Sequence, residues 1–333
     1  KINVRFSNFF ADWRDNLTIK EAYVAVSAGG SAIDPASSKQ LTFSGKTAVS
    51  IPSGCQMVSD NLEFDLKPGS DLVITTYIEK APRKTTGHRS ARGEVVFFKS
   101  GNAATDEKFE GSVTNKCWYY LCAVDVLSSL PGASIVCLGD SITDGKGSTE
   151  GENKRWPDML ARRLQADPKY AGVGVLNQGI GGNCLWSGGI AQPVIQRMER
   201  DMLAQSSAKW VILLEGINDI GNNGRTTTEE VITAMKQVIS RARSCGMKVY
   251  GSTILPCGYS FYDRGSTEEK RLAINEWIRT SGEFDAVIDW DAVVRDPQDN
   301  RKLLEAADSG DHLHLSDAGY QMMIDAVDLS LFQ

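Results

Sequence analysis

Histidine is scarce in this chain: among 333 residues there are three, His88, His312 and His314. With no helical H-E-x-x-H pair and no clustered thiolates, they make no closed ligand set, so neither a metal nor another cofactor is expected. Disulfide pairing is also under-supplied. The seven cysteines (Cys55, Cys117, Cys122, Cys137, Cys184, Cys245, Cys257) form no C-x-x-C pair and are odd in number, which excludes a complete disulfide framework. Cys137, inside an apolar run, reads as a reduced, core-packed thiol, and this leans toward a reducing, cytoplasmic compartment. A leader removed before Lys1 would leave the same trace in a secreted protein. No stretch of eighteen or more apolar residues exists, so no membrane span is expected. The formal charge of −6, with no dense run of Lys or Arg, argues against nucleic acid or an acidic membrane surface as partner. Gly145-Lys146-Gly147-Ser148 follows an apolar run but fails as a phosphate loop, since Gly147 stands where Ser or Thr must follow the Lys.

What is present divides into two rhythms. Residues 1–127 read as an all-β module of sandwich or jelly-roll type, because short period-two segments alternate with turn chemistry such as Lys67-Pro68-Gly69-Ser70. Strands are expected at Tyr23–Val26, Leu62–Leu66, Asp71–Ile78, Glu94–Phe98 and Cys117–Val124. Little precedes Arg5, so the first strand reads as clipped. A linker over 128–133 leads to residues 134–333, where apolar strands at Ile135–Leu138, Val173–Leu176, Trp210–Leu214, Val249–Ile254 and Ala286–Trp290 alternate with helical patterns. Such alternation predicts an α/β domain with a parallel sheet covered on both faces. Helices open at the capping-box patterns Thr227–Glu230 and Ser266–Glu269, and Ser316 can cap the last one.

In open α/β sheets ligands bind outside the carboxyl ends of the strands. Gly139-Asp140-Ser141 breaks an apolar run there and presents one hydroxyl. A serine hydroxyl is a weak nucleophile until a base takes its proton, and the candidate imidazoles lie in Asp311-His312-Leu313-His314. The three-residue spacing lets Asp311 fold back onto His314, as a carboxylate does when it fixes the tautomer of a catalytic imidazole. Donors for a developing oxyanion are offered by the glycine turn Asn177–Asn183 and by Gly216-Ile217-Asn218-Asp219. Asp140 and Asp219 read as organisers of local turns, His312 as turned away from the crevice, and His88 as solvated. Trp156, Trp186 and Tyr259 are weak candidates for substrate contact, with core packing as the alternative for each.

These four blocks, in order and complete, resemble the SGNH/GDSL hydrolase family. The resemblance implies a flavodoxin-like three-layer α/β/α domain and a covalent acyl-enzyme without metal. It implies Ser141 as nucleophile, His314 as base and Asp311 as its orienting group. It also implies an oxyanion hole of the Ser141 and Gly182 backbone N–H groups, with Gly181 as the alternative, and the Asn218 amide. Arg155-Trp156-Pro157-Asp158 and Gly179–Asn183 are similar to a bacterial subgroup with an N-terminal β-sandwich, lipase- or carbohydrate esterase-like. The expectation is a serine esterase on small-molecule or oligosaccharide esters, with acetyl groups on carbohydrate favoured. The rivals are a lipase or thioesterase acting on longer chains, and an inactive carbohydrate-binding protein. Oligomeric state is left open.

Overall fold

The computed structural model describes all residues except 129, 223 and 224, so Ser129 of the expected linker lies outside the described residues. The chain divides into two compact units, Lys1–Ser129 and Leu130–Gln333.

The first unit is built of antiparallel strands. The long Leu17–Gly29 strand pairs with Leu72–Lys80, and Ile2–Ser7 lies between Leu121–Val126 and Gln56–Val58. Alternating residues from the two sheets (Ile2, Val4 and Phe6 against Leu17, Ile19, Ala22 and Val24) meet in one core, which makes the unit a β-sandwich. The expected strand at Leu62–Leu66 is reduced to a single bridge between Leu62 and Ile2. The one expected at Cys117–Val124 is cut in two, because Tyr120 adopts φ 57° and interrupts the ladder. The seven cysteines are free thiols, with Cys137, Cys184 and Cys257 buried.

The second unit carries five parallel strands in the order Val173–Gly179, Ala133–Gly139, Ala208–Leu214, Lys248–Ser252, Ala286–Ile288, the 2-1-3-4-5 order of a flavodoxin-like sheet. Side chains alternate across each strand, so Ile135 and Cys137 enter one core with Trp156 and Trp290, while Val136 and Leu138 enter the other with Val231, Val238 and Ile254. Both faces are thereby covered, and the near-continuous apolar runs follow from that double burial. The Thr228–Ser244 helix opens on the predicted capping box, Thr227 accepting from Glu230 N and Glu230 reaching back. Ser266 makes no such cap: Thr267 Oγ1 instead donates to Ile220 O and Arg264 O, tying that helix to the loop after the third strand. The last strand ends at Ile288, and Trp290 begins a short helix capped by Asp289.

The register places the strand ends level. Gly139 pairs with Gly179 on one side and with Leu214 on the other, so the turns that follow the first three strands start side by side. Gly179 is required there, because a Cβ would overlap the backbone of Thr143 and Asp144 in the turn after Gly139.

Trp290 is wholly buried, its ring 5.0 Å from that of Trp156 and its Nε1–H donating to Met323 O at 2.8 Å. Trp290→Ala is expected to lower the unfolding free energy by about 3–5 kcal/mol, through cavity formation and an orphaned carbonyl. Urea denaturation of the variant and the parent, side by side, checks this.

Candidate active site

The chain turns sharply after Gly139. Asp140 caps the short Ser141–Asp144 helix by accepting Ile142 N–H at 2.8 Å, and Gly145 ends it in the left-handed region. Ser141 therefore stands at the first residue of a helix, its backbone N–H without a partner among the described residues. Its Oγ lies 2.8 Å from His314 Nε2, and His314 Nδ1 lies 2.7 Å from Asp311 Oδ2. The other oxygen of Asp311 accepts the backbone N–H of His314 at 2.8 Å and of Leu313 at 3.1 Å, so the carboxylate holds both the ring and the loop that carries it. Burial works against the charge on Asp311, but these bonds from His314 and Leu313 outweigh it and hold the carboxyl well below its ordinary range. Asp311 thus stays an acceptor, which keeps the proton on Nδ1 and leaves Nε2 free to take one from Ser141.

The glycine turn after the second strand lies beside this dyad. Gly182 adopts φ 74°, conformationally easy for glycine alone, and its N–H, like that of Ser141, donates to no described residue. Asn218 follows the third strand. Its Nδ2 donates to Asn183 O at 2.8 Å and its Oδ1 accepts Tyr262 O–H at 2.8 Å, so both ends of the amide are fixed. Ser141, Asp311, His314, Gly182 and Asn218 are accordingly brought to one level of the sheet by three strand ends and the final loop.

Among the weaker candidates, Trp156 is corrected: its indole is fully buried against Trp290 and bonds Thr143 Oγ1 at 3.3 Å, so it is core and not crevice. Trp186 is half-buried beside the glycine turn. Tyr259 is exposed, with its hydroxyl on Asp299 at 2.7 Å and the Arg301 guanidinium 5.9 Å from its ring centroid. His312 does not approach Ser141 through a hydrogen bond; its Nδ1 engages Asp308 at 2.6 Å. Asp140 organises its own turn as expected, whereas Asp219 reaches across, accepting Leu185 N–H and Trp186 N–H at 2.8 and 2.9 Å. His88 sits in the first unit, in a two-residue strand paired with Trp118–Tyr119. Among the described residues no group of His, Cys, Asp and Glu is arranged to hold a metal ion, and no helix is long and apolar enough to cross a membrane.

Four residues that sequence reasoning gave no role prove central. Arg197, fully buried, donates to Gly139 O (3.1 Å), Gln178 O (2.9 Å) and Asn183 Oδ1 (2.9 Å), clamping the first two strand ends to the glycine turn. Asn183 in turn donates to Ile190 O and Gln192 O and closes the loop that follows. Glu215 lies 3.7 Å from Arg197, and Tyr262 holds Asn218. Two of these left a signal: an arginine on an apolar helical face with Val194 and Met198, and a glutamate ending the apolar run Trp210–Leu214. Tyr262 left none.

Burial sets the electrostatics beneath the site. It pushes Asp140 up to about 7 and Asp219 to about 6, from an ordinary 3.8, and raises Glu215 well above its usual range, with Asp140 adding to the effect. Between roughly pH 4 and pH 7 the folded protein therefore binds protons on Asp140 that the unfolded chain has released. Stability from this group falls as pH rises through that window. Asp140→Asn, which can still accept Ile142 N–H, is expected to lose less stability than the parent between pH 5 and pH 8. Urea unfolding of both proteins at the two pH values measures it, and equal losses would refute the assignment.

The model of the GDSL-like lipase/acylhydrolase family matches residues 137–322, a span that contains Ser141, Asp311, His314, the glycine turn and Asn218. An acetylxylan esterase of Geobacillus stearothermophilus is 33% identical over 96 residues, covering 27% of this chain and 41% of that relative. The chain thus spans about two fifths of the length of that curated relative. Among solved structures, a protein assigned to the G-D-S-L lipolytic family from Desulfitobacterium hafniense aligns at 22% identity and TM-score 0.47, over 59% of this chain and 97% of that one. A carbohydrate acetylesterase from Sinorhizobium meliloti aligns at 16% identity and TM-score 0.47, over 60% and 100%. With more than half of its length matched by the family description, around an intact set of motif residues, this chain belongs to the GDSL-like lipase/acylhydrolase family.

Proposed function

We propose that the protein is a serine esterase that removes short acyl groups, acetyl above all, from carbohydrate esters. The observation that carries the reading is the hydrogen-bonded line from Ser141 Oγ through the His314 ring to Asp311, at 2.8 and 2.7 Å. In this mechanism His314 Nε2 takes the Ser141 proton as Oγ attacks the ester carbonyl. The tetrahedral oxyanion is met by the N–H groups of Ser141 and Gly182 and by the free N–H of the Asn218 amide. Collapse forms the acyl-serine while His314 returns the proton to the departing alcohol. Water, deprotonated by the same imidazole, then attacks the acyl-serine, and its collapse releases the acid and restores Ser141. Residues 1–127 form a separate module in this reading, joined by the 128–133 linker. The acetyl and carbohydrate preference is supported by the likeness to the acetylxylan esterase.

Ser141→Ala is expected to abolish both turnover and labelling by a fluorophosphonate probe, with folding retained. Absence of labelling and turnover in the parent would instead favour a binding protein. Nitrophenyl esters of increasing acyl length, assayed beside acetylated xylan, test the substrate class: preference for long chains with no acetate release from xylan would replace this reading with a lipase or thioesterase. Asn218→Ala is expected to lower kcat by about 100-fold or more, the usual consequence of losing an oxyanion donor. A kcat near that of the parent would remove Asn218 from the mechanism.

A further inference from the structure

Asn218 has four hydrogen-bonding positions on its amide: two N–H donors and a carbonyl that can accept twice. One N–H is taken by Asn183 O and the carbonyl receives Tyr262 O–H, both at 2.8 Å, which leaves the second N–H as the amide's one donor for a ligand, beside a second acceptor position on the carbonyl. A side-chain amide rotated by half a turn would present its oxygen to that ligand and repel an oxyanion. The Asn183 carbonyl, which can only accept, opposes the rotation because it would then face the amide oxygen, and the Tyr262 O–H anchors the other end by donating to the carbonyl. We infer that Tyr262 is a positioning residue of the oxyanion hole, anchoring the carbonyl of the Asn218 amide that Asn183 O orients and strengthening its N–H as a donor.

The strengthening follows from hydrogen bonds in series. Donation into a carbonyl draws electron density through the amide and leaves its N–H more positive, so the chain Tyr262 O–H, Asn218 C=O, Asn218 N–H, oxyanion is cooperative. Its members are buried: Asn218 is 4% exposed and Tyr262 9%. The low dielectric there magnifies each link. Tyr262 is itself held in place. Its ring lies 4.3 Å from that of Phe261, its backbone N–H donates to Ser260 Oγ, and the neighbouring Arg264 side chain donates to Gly221 O at 2.9 Å, at the end of the helix that carries Asn218. The loop after the fourth strand thereby reaches 44 residues back in the chain to the loop after the third. Burial also pushes the phenol up to about 12, so the hydroxyl keeps its proton, and its ability to donate, throughout the working pH range.

This inference rests on the proposed role of Asn218 and is tested by a double-mutant cycle with 4-nitrophenyl acetate. Tyr262→Phe keeps the ring and removes the donor. We expect kcat to fall about three- to tenfold, the scale of one lost hydrogen bond amplified along the chain, with KM within about twofold of the parent. In the Asn218→Ala background the same change is expected to alter kcat by less than about twofold, since no amide remains to orient. An equal fall in both backgrounds would mean that the hydroxyl supports packing alone and would overturn the inference, as would an unchanged kcat in Tyr262→Phe. If instead Asn218→Ala itself runs at the parental rate, the oxyanion reading fails first, and the two failures are told apart. Should Tyr262→Phe fold poorly, 3,5-difluorotyrosine introduced at position 262 preserves the packing and lowers the phenol pKa. Its kcat is then expected to drop at alkaline pH as the ring ionises and ceases to donate, and a pH profile matching the parent would overturn the inference.

Discussion

The site hangs on one buried cation. Arg197 has no exposed surface, and its planar fork reaches Gly139 O, Gln178 O and Asn183 Oδ1, three acceptors on two strand ends and a turn. Gly139 O already accepts Ile180 N–H at 3.0 Å, and Arg197 adds a second donor there while also partnering Gln178 O and Asn183 Oδ1; a buried acceptor left unpaired costs about 1–3 kcal/mol. A single guanidinium answers several of them at fixed angles, which a lysine ammonium does not do. The charge is itself expensive to bury, and Asp201 at 3.3 Å offsets that cost. Removing one partner of such a buried pair typically costs about 3–5 kcal/mol, so the arrangement is all-or-nothing.

Acids gather beneath the proposed oxyanion site. Asp140, Glu215 and Asp219 all lie under the turns that carry Ser141, Gly182 and Asn218, and as carboxylates they would oppose any negative charge forming above them. Burial resolves the conflict by favouring their protonated forms, most strongly for Glu215 and Asp140. Asp140, pushed up to about 7, caps its helix and Asp219, pushed up to about 6, holds Leu185 and Trp186, and each accepts these backbone N–H groups with or without its proton.

How much of this was legible in the sequence depended on the range of the partners. The five sheet strands were readable because each is buried on both faces and needs only its own apolar run to declare it. The first unit was harder: Leu62–Leu66 has the alternation of a strand but makes one bridge, because pairing depends on the neighbour that the fold supplies. At the site, Ser141, Asp311 and His314 stand in motifs whose local spacing carries the geometry. Tyr262 could not be read, since its meaning is a contact 44 residues away, and for Trp156 the sequence left crevice lining and core packing both open, where the structure has it in the core. Arg197 and Glu215 were visible as ionisable side chains in apolar company, a pattern that marks their burial without naming what they hold.

The division of labour that results has a physical logic. Groups that would meet a substrate, namely the Ser141 hydroxyl, two backbone N–H groups and one amide N–H, are held in place by bonds that their own or neighbouring groups make inward. Asn218 spends two on Asn183 and Tyr262; Asp311 spends both oxygens on the His314 loop. A donor fixed in this way needs no reorganisation when charge develops, which is where preorganised sites gain over water. Water molecules around an oxyanion must turn to face it, and that cost recurs at every turnover. Here the turning is done once, during folding, and the level register of Gly139 with Gly179 and Leu214 makes it possible, because it starts all three turns from the same edge.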